Sequence, residues 1–366
     1  MTDRDGCIAL NLVPGIGYAR FQMLSEWFGA PGQVFNHALE EYEKLRNFGP
    51  LLSKRIAEFD PETAVAAELE LAERGDVDII TLFDSDYPEI LRELADPPLC
   101  LYVRGRLPEF PRKAVAVVGT RRMSAYGARM SERIAGTAAA MGYTVVSGLA
   151  MGVDTIAHRA AIKSGGITVA VIGAGLAHLH PKENIPLARE IIEHNGAVVS
   201  EFPISMPPSR QNFPRRNRIV AALCEGTIVT EAGIDSGAMI TARLALENNR
   251  ELFALPGNVD NPAAAGCNAL IREGACLIER FEDVAVALGS CVSIPQSEKK
   301  PELPSDGDMD ELSKKIWLLL EKGETGFDEI QAELNAETGA LLSALMKLEL
   351  RMFIELTPEQ RYRRMV

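Results

Sequence analysis

The chain has 366 residues, 47% of them hydrophobic and 24% charged, an apolar share ordinary for a globular protein and too high for a disordered one. At about 150 residues per domain there is room for two or three domains, and no run approaches the roughly 20 consecutive apolar residues of a membrane helix. The net charge of −13, from 38 Lys+Arg against 51 Asp+Glu, argues against indiscriminate coating of nucleic acid. A local basic groove stays open, because screening confines each exposed charge to about 8–10 Å.

The start, Met1-Thr2-Asp3-Arg4-Asp5-Gly6, has no basic region ahead of an apolar run, so the expectation is a cytoplasmic protein. Residues 1–75 read as short helices. Within them, Val13-Pro14-Gly15-Ile16-Gly17 precedes a helical 19–28. This has the form of the hairpin in a helix-hairpin-helix, whose glycine N–H groups and following helix hold a DNA phosphate. Phe48-Gly49-Pro50-Leu51-Leu52-Ser53-Lys54-Arg55-Ile56 resembles a degenerate second copy in which Pro50 removes one donor. Structural or partner use fits this second copy better; the first is left open.

Residues 78–290 alternate apolar runs with helical patterns. The runs at 114–118, 144–146, 168–172, 197–199, 227–229, 252–255 and 276–278 do not alternate polar and apolar residues. Helical patterns separate most of them, at 127–141, 154–164, 186–195, 219–224 and 238–248. Unalternated strands with helices between them predict a parallel sheet covered on both faces, and right-handed crossovers then give a doubly wound, Rossmann-like fold. Segments 77–82 and 99–103 are candidate strands ahead of that core.

Ligands of such sheets bind beyond the carboxyl ends of the strands. Those ends read Gly119-Thr120-Arg121-Arg122, Ser147-Gly148-Leu149-Ala150-Met151-Gly152-Val153-Asp154, Gly173-Ala174-Gly175 and Glu231-Ala232-Gly233-Ile234-Asp235-Ser236-Gly237. One such turn alone is only a tight connection. Several Gly/Ser/Thr turns converging on one edge favour a phosphate-lined site, with Arg121 as a grip and Ser236 and Gly237 opening a helix whose N-terminus attracts anions. A dinucleotide site is disfavoured, since the third glycine after Gly173 and Gly175 is replaced by His178 and no G-x-G follows the first strand. No Walker A loop occurs.

The sharpest local signal is Pro207-Pro208-Ser209-Arg210-Gln211-Asn212-Phe213-Pro214-Arg215-Arg216-Asn217-Arg218. It carries four arginines, no acid and one aromatic. Arginines neutralise backbone phosphates and Phe213 offers a face for base stacking, so the segment is read as a nucleic-acid contact on a loop. The competing reading makes Arg216 or Arg218 an internal ion-pair anchor and Phe213 a core residue. A second basic stretch, Arg112, Lys113, Arg121, Arg122, Arg129 and Arg133, faces the same predicted edge. No metal site is expected. His178 and His180 share a face only on a strand and have no further ligand nearby, and the six cysteines show no C-x-x-C.

Residues 295–308, rich in proline and charge, read as part of a flexible linker, placed at 291–307. Beyond it, 308–366 holds helices at 328–334 and 337–350 and a strand pair formed by Phe353-Ile354-Glu355-Leu356 and Arg361-Tyr362-Arg363-Arg364. From Cys291 onward there are 15 acids against 10 basic residues. That balance weakens the case for strong duplex binding and leaves regulation or partner binding at least equally open.

Taken together, Val117-Val118-Gly119-Thr120-Arg121, the Ser147 to Asp154 turn, Phe213-Pro214-Arg215-Arg216-Asn217-Arg218-Ile219, Ser236-Gly237-Ala238-Met239-Ile240-Thr241-Ala242 and Leu255-Pro256-Gly257-Asn258 resemble the DNA-processing protein A family (DprA, also called Smf). The resemblance covers over half the chain. It implies an α/β protein with an extended Rossmann-like parallel sheet at 78–290, a SAM or helix-hairpin-helix-like helical domain at 1–75 and a winged-helix-like domain at 308–366. It further implies a homodimer formed through the Rossmann-like domain, which binds single-stranded DNA without sequence preference and loads a RecA-type recombinase during natural transformation. In the family the Gly-Ser/Thr-Arg turn binds phosphate, here Gly119, Thr120 and Arg121, and a basic residue and a Phe contact DNA, here Arg210 and Phe213. Ser147, Gly148, Arg215, Asn217, Arg218, Ser236 and Gly237 complete the expected DNA-binding set, with no cofactor and no catalytic residue.

The rival reading is enzymatic. Nucleotide phosphoribohydrolases resembling the cytokinin-activating family share this Rossmann variant and carry Pro-Gly-Gly-x-Gly-Thr followed by a catalytic Glu. The loop from Glu231 to Gly237 departs from that pattern, although Glu231 or Asp235 is of the right chemical type for a general base. The alternative role of Glu231 is a structural carboxylate holding neighbouring turns.

Overall fold

The structure is a computed structural model that describes residues 1–46, 48–108, 110, 113–290, 310–350, 353–357 and 361–364. The expected linker at 291–307, Arg112 and Cys291 therefore lie outside the described residues. Contacts divide the chain into a first unit, Met1–Cys291, and a second, Val292–Val366.

The first unit opens with five helices, α1 (Asp3–Leu12), α2 (Tyr18–Phe28), α3 (Leu39–Glu43), α4 (Pro50–Ala57) and α5 (Pro61–Gly75). Thr2 starts α1 with a capping box shared with Asp5, and Asp60 caps α5 ahead of Pro61, two standard helix-start signals. Between α1 and α2 the chain turns at Gly15 with φ +100°, a conformation that a side chain would strain. Arg20 donates to the Gly15 carbonyl at 2.6 Å, and Arg55 of α4 donates to that of Pro14. The degenerate second hairpin thus packs against the first.

The remainder of this unit runs β1 (Asp78–Thr81), α6 (Glu89–Arg92), β2 (Cys100–Gly105), β3 (Ala114–Val118), α7 (Ala125–Ala140), β4 (Thr144–Ser147), α8 (Val153–Lys163), β5 (Thr168–Val171), α9 (Ile185–Glu193) and β6 (Ala197–Ser200). It continues with α10 (Asn212–Ala222), β7 (Gly226–Val229), α11 (Gly237–Glu247), β8 (Glu251–Ala254), α12 (Ala265–Arg272), β9 (Cys276–Leu277) and α13 (Phe281–Ala287). The sheet order is β1-β2-β6-β5-β4-β3-β7-β8-β9. All seven strands from β3 to β9 pair in parallel, as their unalternated composition predicts. The two candidate strands ahead of the core do join the sheet, but antiparallel: β1 to β2, and β2 to β6.

Both faces of the sheet are covered. Val169 and Val171 of β5 enter one apolar core with Ile219 of α10 and Met239 of α11, while Ala170 enters the other with Ile8, Leu10 and Leu187. This is the period of two expected of a strand buried on both sides. The N-terminal helices share that second core with Tyr102 and Val198 of the sheet. Each large aliphatic side chain buried this way contributes about 1.5–3 kcal/mol.

The expected helix over 219–224 begins earlier, at Asn212. Pro214 sits in its first turn, where the missing N–H has no intrahelical partner to lose. Phe213 is therefore on a helix and not on a loop, a correction that matters below.

The second unit holds α14 (Glu311–Leu319), β10 (Thr325–Gly326), α15 (Phe327–Leu334), α16 (Thr338–Leu350), β11 (Ile354–Leu356) and β12 (Arg361–Arg364). Ile316, Ile330, Leu341, Leu345, Leu348 and Ile354 form its core. The expected strand pair forms, with Glu355 opposite Arg363 and Leu356 opposite Tyr362 in a sheet ordered β10-β12-β11.

Candidate functional site

The sheet reverses its order at β3, with β4, β5 and β6 on one side and β7, β8 and β9 on the other. At such a point the crossovers diverge and leave a crevice outside the strand ends. A cleft of about 820 Å³ lies there. Its walls are the turn Gly119 to Arg122 after β3, Gly148 after β4, Phe213, Pro214 and Asn217 on α10, and the stretch from Gly233 to Ala238 that opens α11.

The β3 turn is held from both sides. Thr120 N donates to the Glu231 carbonyl at 2.7 Å, and Val153 N donates to the Thr120 carbonyl at 3.2 Å. A Cβ on Gly119 would lie 2.6 Å from Val153 Cγ2 and 2.8 Å from the Glu231 carbonyl, so this close approach requires glycine. The Thr120 hydroxyl accepts from Arg122 N at 3.1 Å, which shapes the turn. Arg121 and Arg122 project outward, both exposed, and among the described residues neither has a carboxylate partner. The Arg121 guanidinium lies 5.5 Å from the centroid of the Phe213 ring. That ring rests on Gly173, whose Cβ, if present, would be 3.2 Å from Phe213 Cδ1. The Gly173 turn thus serves ring packing.

Across the cleft, Ser236 caps α11, its Oγ accepting from Ala238 N at 3.3 Å. Ser236, Gly237, Ala238 and Thr241 line the cleft, so the positive end of an 11-residue helix opens onto it. Cationic side chains and a helix N-terminus around one partly exposed aromatic ring are equipped to hold phosphate beside a stacked base.

Of the expected set, Gly119, Thr120, Arg121, Gly148, Phe213, Asn217, Ser236 and Gly237 come together in the cleft, and four do not. Ser147 is fully buried and donates to the Val117 carbonyl at 2.7 Å, tying β4 to β3. Arg218 is corrected to an internal anchor: it pairs with buried Glu201 at 2.5 Å and with Asp96 at 3.4 Å. Arg215 leans the same way, 3.5 Å from Glu201 and 5.1 Å from the Phe202 ring centroid. Burial raises the pKa of the Glu201 carboxyl, against the pull of Arg218 and Arg215. Arg210 is exposed just before α10, outside the lining.

Among the lining residues outside the expected set are two buried charged ones, Arg216 and Asp154. Arg216 is buried, donates to the Gly148 and Val171 carbonyls, and gives its Nε to Asn217 Oδ1 at 3.0 Å. Burial pulls its pKa down to about 10, while Asp154 opposes the shift, so it stays cationic at neutral pH. Asp154 accepts from Gly148 N at 3.1 Å and Ala150 N at 3.3 Å, and burial raises its pKa. The signal for Asp154 was its place at the end of the Ser147 turn; that for Arg216 was helical spacing from Phe213.

The enzymatic reading meets a specific obstacle. Glu231 is buried, its two oxygens accepting from Ser124 N at 2.7 Å and Ser124 Oγ at 2.6 Å. A Cβ on Gly127 would sit 2.2 Å from one of those oxygens. Glu231 therefore holds the start of α7, where Ser124 is the cap, and does not line the cleft. Asp235 does line it, exposed. His178 and His180 are both exposed. In the second unit, the arginines of β12 are engaged internally: Arg361 with Glu329 at 2.7 Å, Arg363 with Glu355 at 2.5 Å, and Arg364 over the Trp317 ring at 4.2 Å.

Residues 78–289 match the family described as DNA recombination-mediator protein A. Protein Smf of Escherichia coli is 42% identical over 61% of this chain, a match spanning 60% of that protein's own length. Protein Smf of Synechocystis is 30% identical over 98% of each chain. The X-ray structure of DNA processing protein A from Streptococcus pneumoniae is similar with a TM-score of 0.66 and 33% identity, covering 78% of this chain and 98% of that one. DNA processing protein A from Helicobacter pylori, whose structure concerns its single-stranded DNA binding mode, aligns with a TM-score of 0.52 and 32% identity over 58% of this chain and 95% of that one.

Proposed function

The chain belongs to the DNA recombination-mediator protein A family, and on that premise we propose that its cleft binds single-stranded DNA, with the strand passed on to a RecA-type recombinase during natural transformation. The observation that carries the binding half is the grouping of exposed Arg121 and Arg122, without a carboxylate partner among the described residues, with the Phe213 ring and the N-terminal end of α11 around one crevice. Arginines and the helix end hold the backbone, and Phe213 stacks on a base. Backbone contacts carry no sequence information, so binding is tolerant of sequence and weakened by salt. The likeness to the Helicobacter pylori protein supports this reading.

The recombinase half rests on family membership, as does a cytoplasmic homodimer formed through the sheet-bearing unit. We read the protein as a binding protein and not an enzyme, because Glu231 is committed to Ser124.

The test is fluorescence anisotropy of labelled oligothymidylate and of a duplex of the same length, at two salt concentrations, with wild type and Arg121→Ala. The expected result is a preference for the single strand that falls with salt and is reduced in the variant. Equal indifference of the wild type to both DNAs would overturn the proposal.

A further inference from the structure

The cleft ends at Arg122, and four residues further on α7 presents Tyr126. Its ring is exposed to 36%, high for a tyrosine whose hydroxyl is also bonded: Tyr126 donates to the Pro256 carbonyl at 3.0 Å. That bond pins the ring in place. The Arg129 guanidinium lies 5.9 Å from its centroid, one helical turn on. Like Arg122, Arg129 is exposed and has no carboxylate partner among the described residues. The nearest acid on the helix, Glu132, turns to Lys163 of α8 at 2.9 Å.

Tyr126 with Arg129 repeats the device seen in the cleft, where Arg121 stands 5.5 Å from the Phe213 ring. Both pairs join an aromatic ring to an exposed arginine that has no carboxylate partner among the described residues; Glu231 and Glu279 act on the Tyr126 hydroxyl but pair with neither arginine. A role in folding alone explains the bond to Pro256. It does not explain an exposed ring beside such an arginine in a chain of net charge −13.

We propose that Tyr126 and Arg129 form a second single-strand subsite, a base stacking on Tyr126 and a phosphate meeting Arg129, so that DNA leaving the cleft past Arg122 continues along the start of α7. The subsite rests on the cleft reading above, because it extends the same strand.

The experiment measures binding of oligothymidylates of about 6 and about 20 nucleotides, one near the low end of the roughly 4–16 that a single-strand groove engages and one beyond its high end. Wild type is compared with Tyr126→Ala, Tyr126→Phe, Arg129→Ala and Arg121→Ala in the full chain. Tyr126→Ala is expected to weaken the long oligonucleotide about 5- to 150-fold, the range of one lost base–aromatic stack, and to leave the short one bound as in wild type. Tyr126→Phe keeps the ring and retains most long-strand binding. Arg129→Ala lowers the salt slope by about one unit for the long strand only.

Long-strand binding unchanged in Tyr126→Ala, with Arg121→Ala impaired at both lengths, would overturn the subsite and leave the cleft standing. Equal loss at both lengths in Tyr126→Ala would also overturn it, since the ring would then act on the cleft through Pro256. If Arg121→Ala binds both lengths as wild type does, the cleft reading fails and takes the subsite with it.

Discussion

The guanidinium of Arg121 lies 5.5 Å from the centre of the Phe213 ring, although one side chain leaves the turn after β3 and the other rises from the first turn of α10. Their meeting defines the cleft. Gly119 lets the β3 turn approach Glu231, and Gly173 lets the ring lie against the β5 turn. A cation near an aromatic face contributes about 0.5–1 kcal/mol at an exposed site, so the pair holds itself open for a ligand only weakly.

The two residues should then fail differently. Arg121→Ala removes a phosphate contact and lowers the slope of log affinity against log salt by about one unit. Phe213→Ala removes a stack of about 1–3 kcal/mol and leaves the slope nearly unchanged. Titrations of oligothymidylate at several salt concentrations separate these outcomes. A slope unchanged in Arg121→Ala would place the phosphate contact elsewhere.

The parallel core was legible because its strands are short, largely apolar without alternation and mostly separated by helices, and the glycine turns marked the edge where the cleft lies. The sense of β1 and β2 was not legible: strands of four and six residues carry no mark of direction. Which arginines face the cleft was not legible for one local reason. With Pro214 taken as a sign of loop, no helical period was applied to 212–218. On the helix that forms, Phe213, Arg216, Asn217 and Val220 are spaced three and four apart and face the cleft, whereas Arg215 and Arg218 share another side and reach Glu201. Helix geometry alone divides this basic segment into a cleft face and an anchor face.

That division predicts that Arg218 acts on stability. Removing one member of a buried ion pair costs about 3–5 kcal/mol where the other charge is left alone, and here Arg215, 3.5 Å from Glu201, reduces that loss. Arg218→Ala should therefore lower the urea midpoint strongly, while the folded fraction binds single strands with the wild-type salt slope. Arg218→Ala with normal stability and a lowered slope would restore Arg218 to the DNA-binding set.

Glu231 should behave as a structural group as well. Glu231→Gln keeps one acceptor for Ser124 and replaces the other with a donor, leaving a hydrogen-bond mismatch of about 1–3 kcal/mol. Thermal unfolding should fall by a few degrees, and oligothymidylate affinity should change little. Release of a free base from a nucleoside monophosphate by the wild type, abolished in Glu231→Gln, would instead make Glu231 catalytic.

The remaining prediction concerns His158, fully buried on α8. The Thr168 hydroxyl donates to the Val145 carbonyl at 2.6 Å, so the 2.7 Å contact between Thr168 Oγ1 and His158 Nδ1 must be donated by the ring. This fixes the neutral tautomer with the proton on Nδ1 and leaves Nε2 without a partner among the described residues. Burial, helped by the charge of Arg216, pulls the His158 pKa down from 6.5 to about 3. The unfolded chain then binds one more proton than the folded one between those two values. Stability is accordingly retained above pH 6.5 and lost as pH falls toward 3, with a slope on the order of 1.4 kcal/mol per unit. The carboxyls of Asp154 and Glu201, raised by burial, act oppositely, since the folded state holds their protons more tightly. Their share is separated by comparing wild type with His158→Gln by urea unfolding at pH 7.5 and pH 5. The variant is less stable at the higher pH because it packs less well, and the gap narrows by about 2 kcal/mol at the lower one as the wild type loses its histidine term. A gap that stays constant across this range would show that His158 titrates in the folded protein as it does in the unfolded chain, and a gap that widens at pH 5 would show that it is already protonated in the fold.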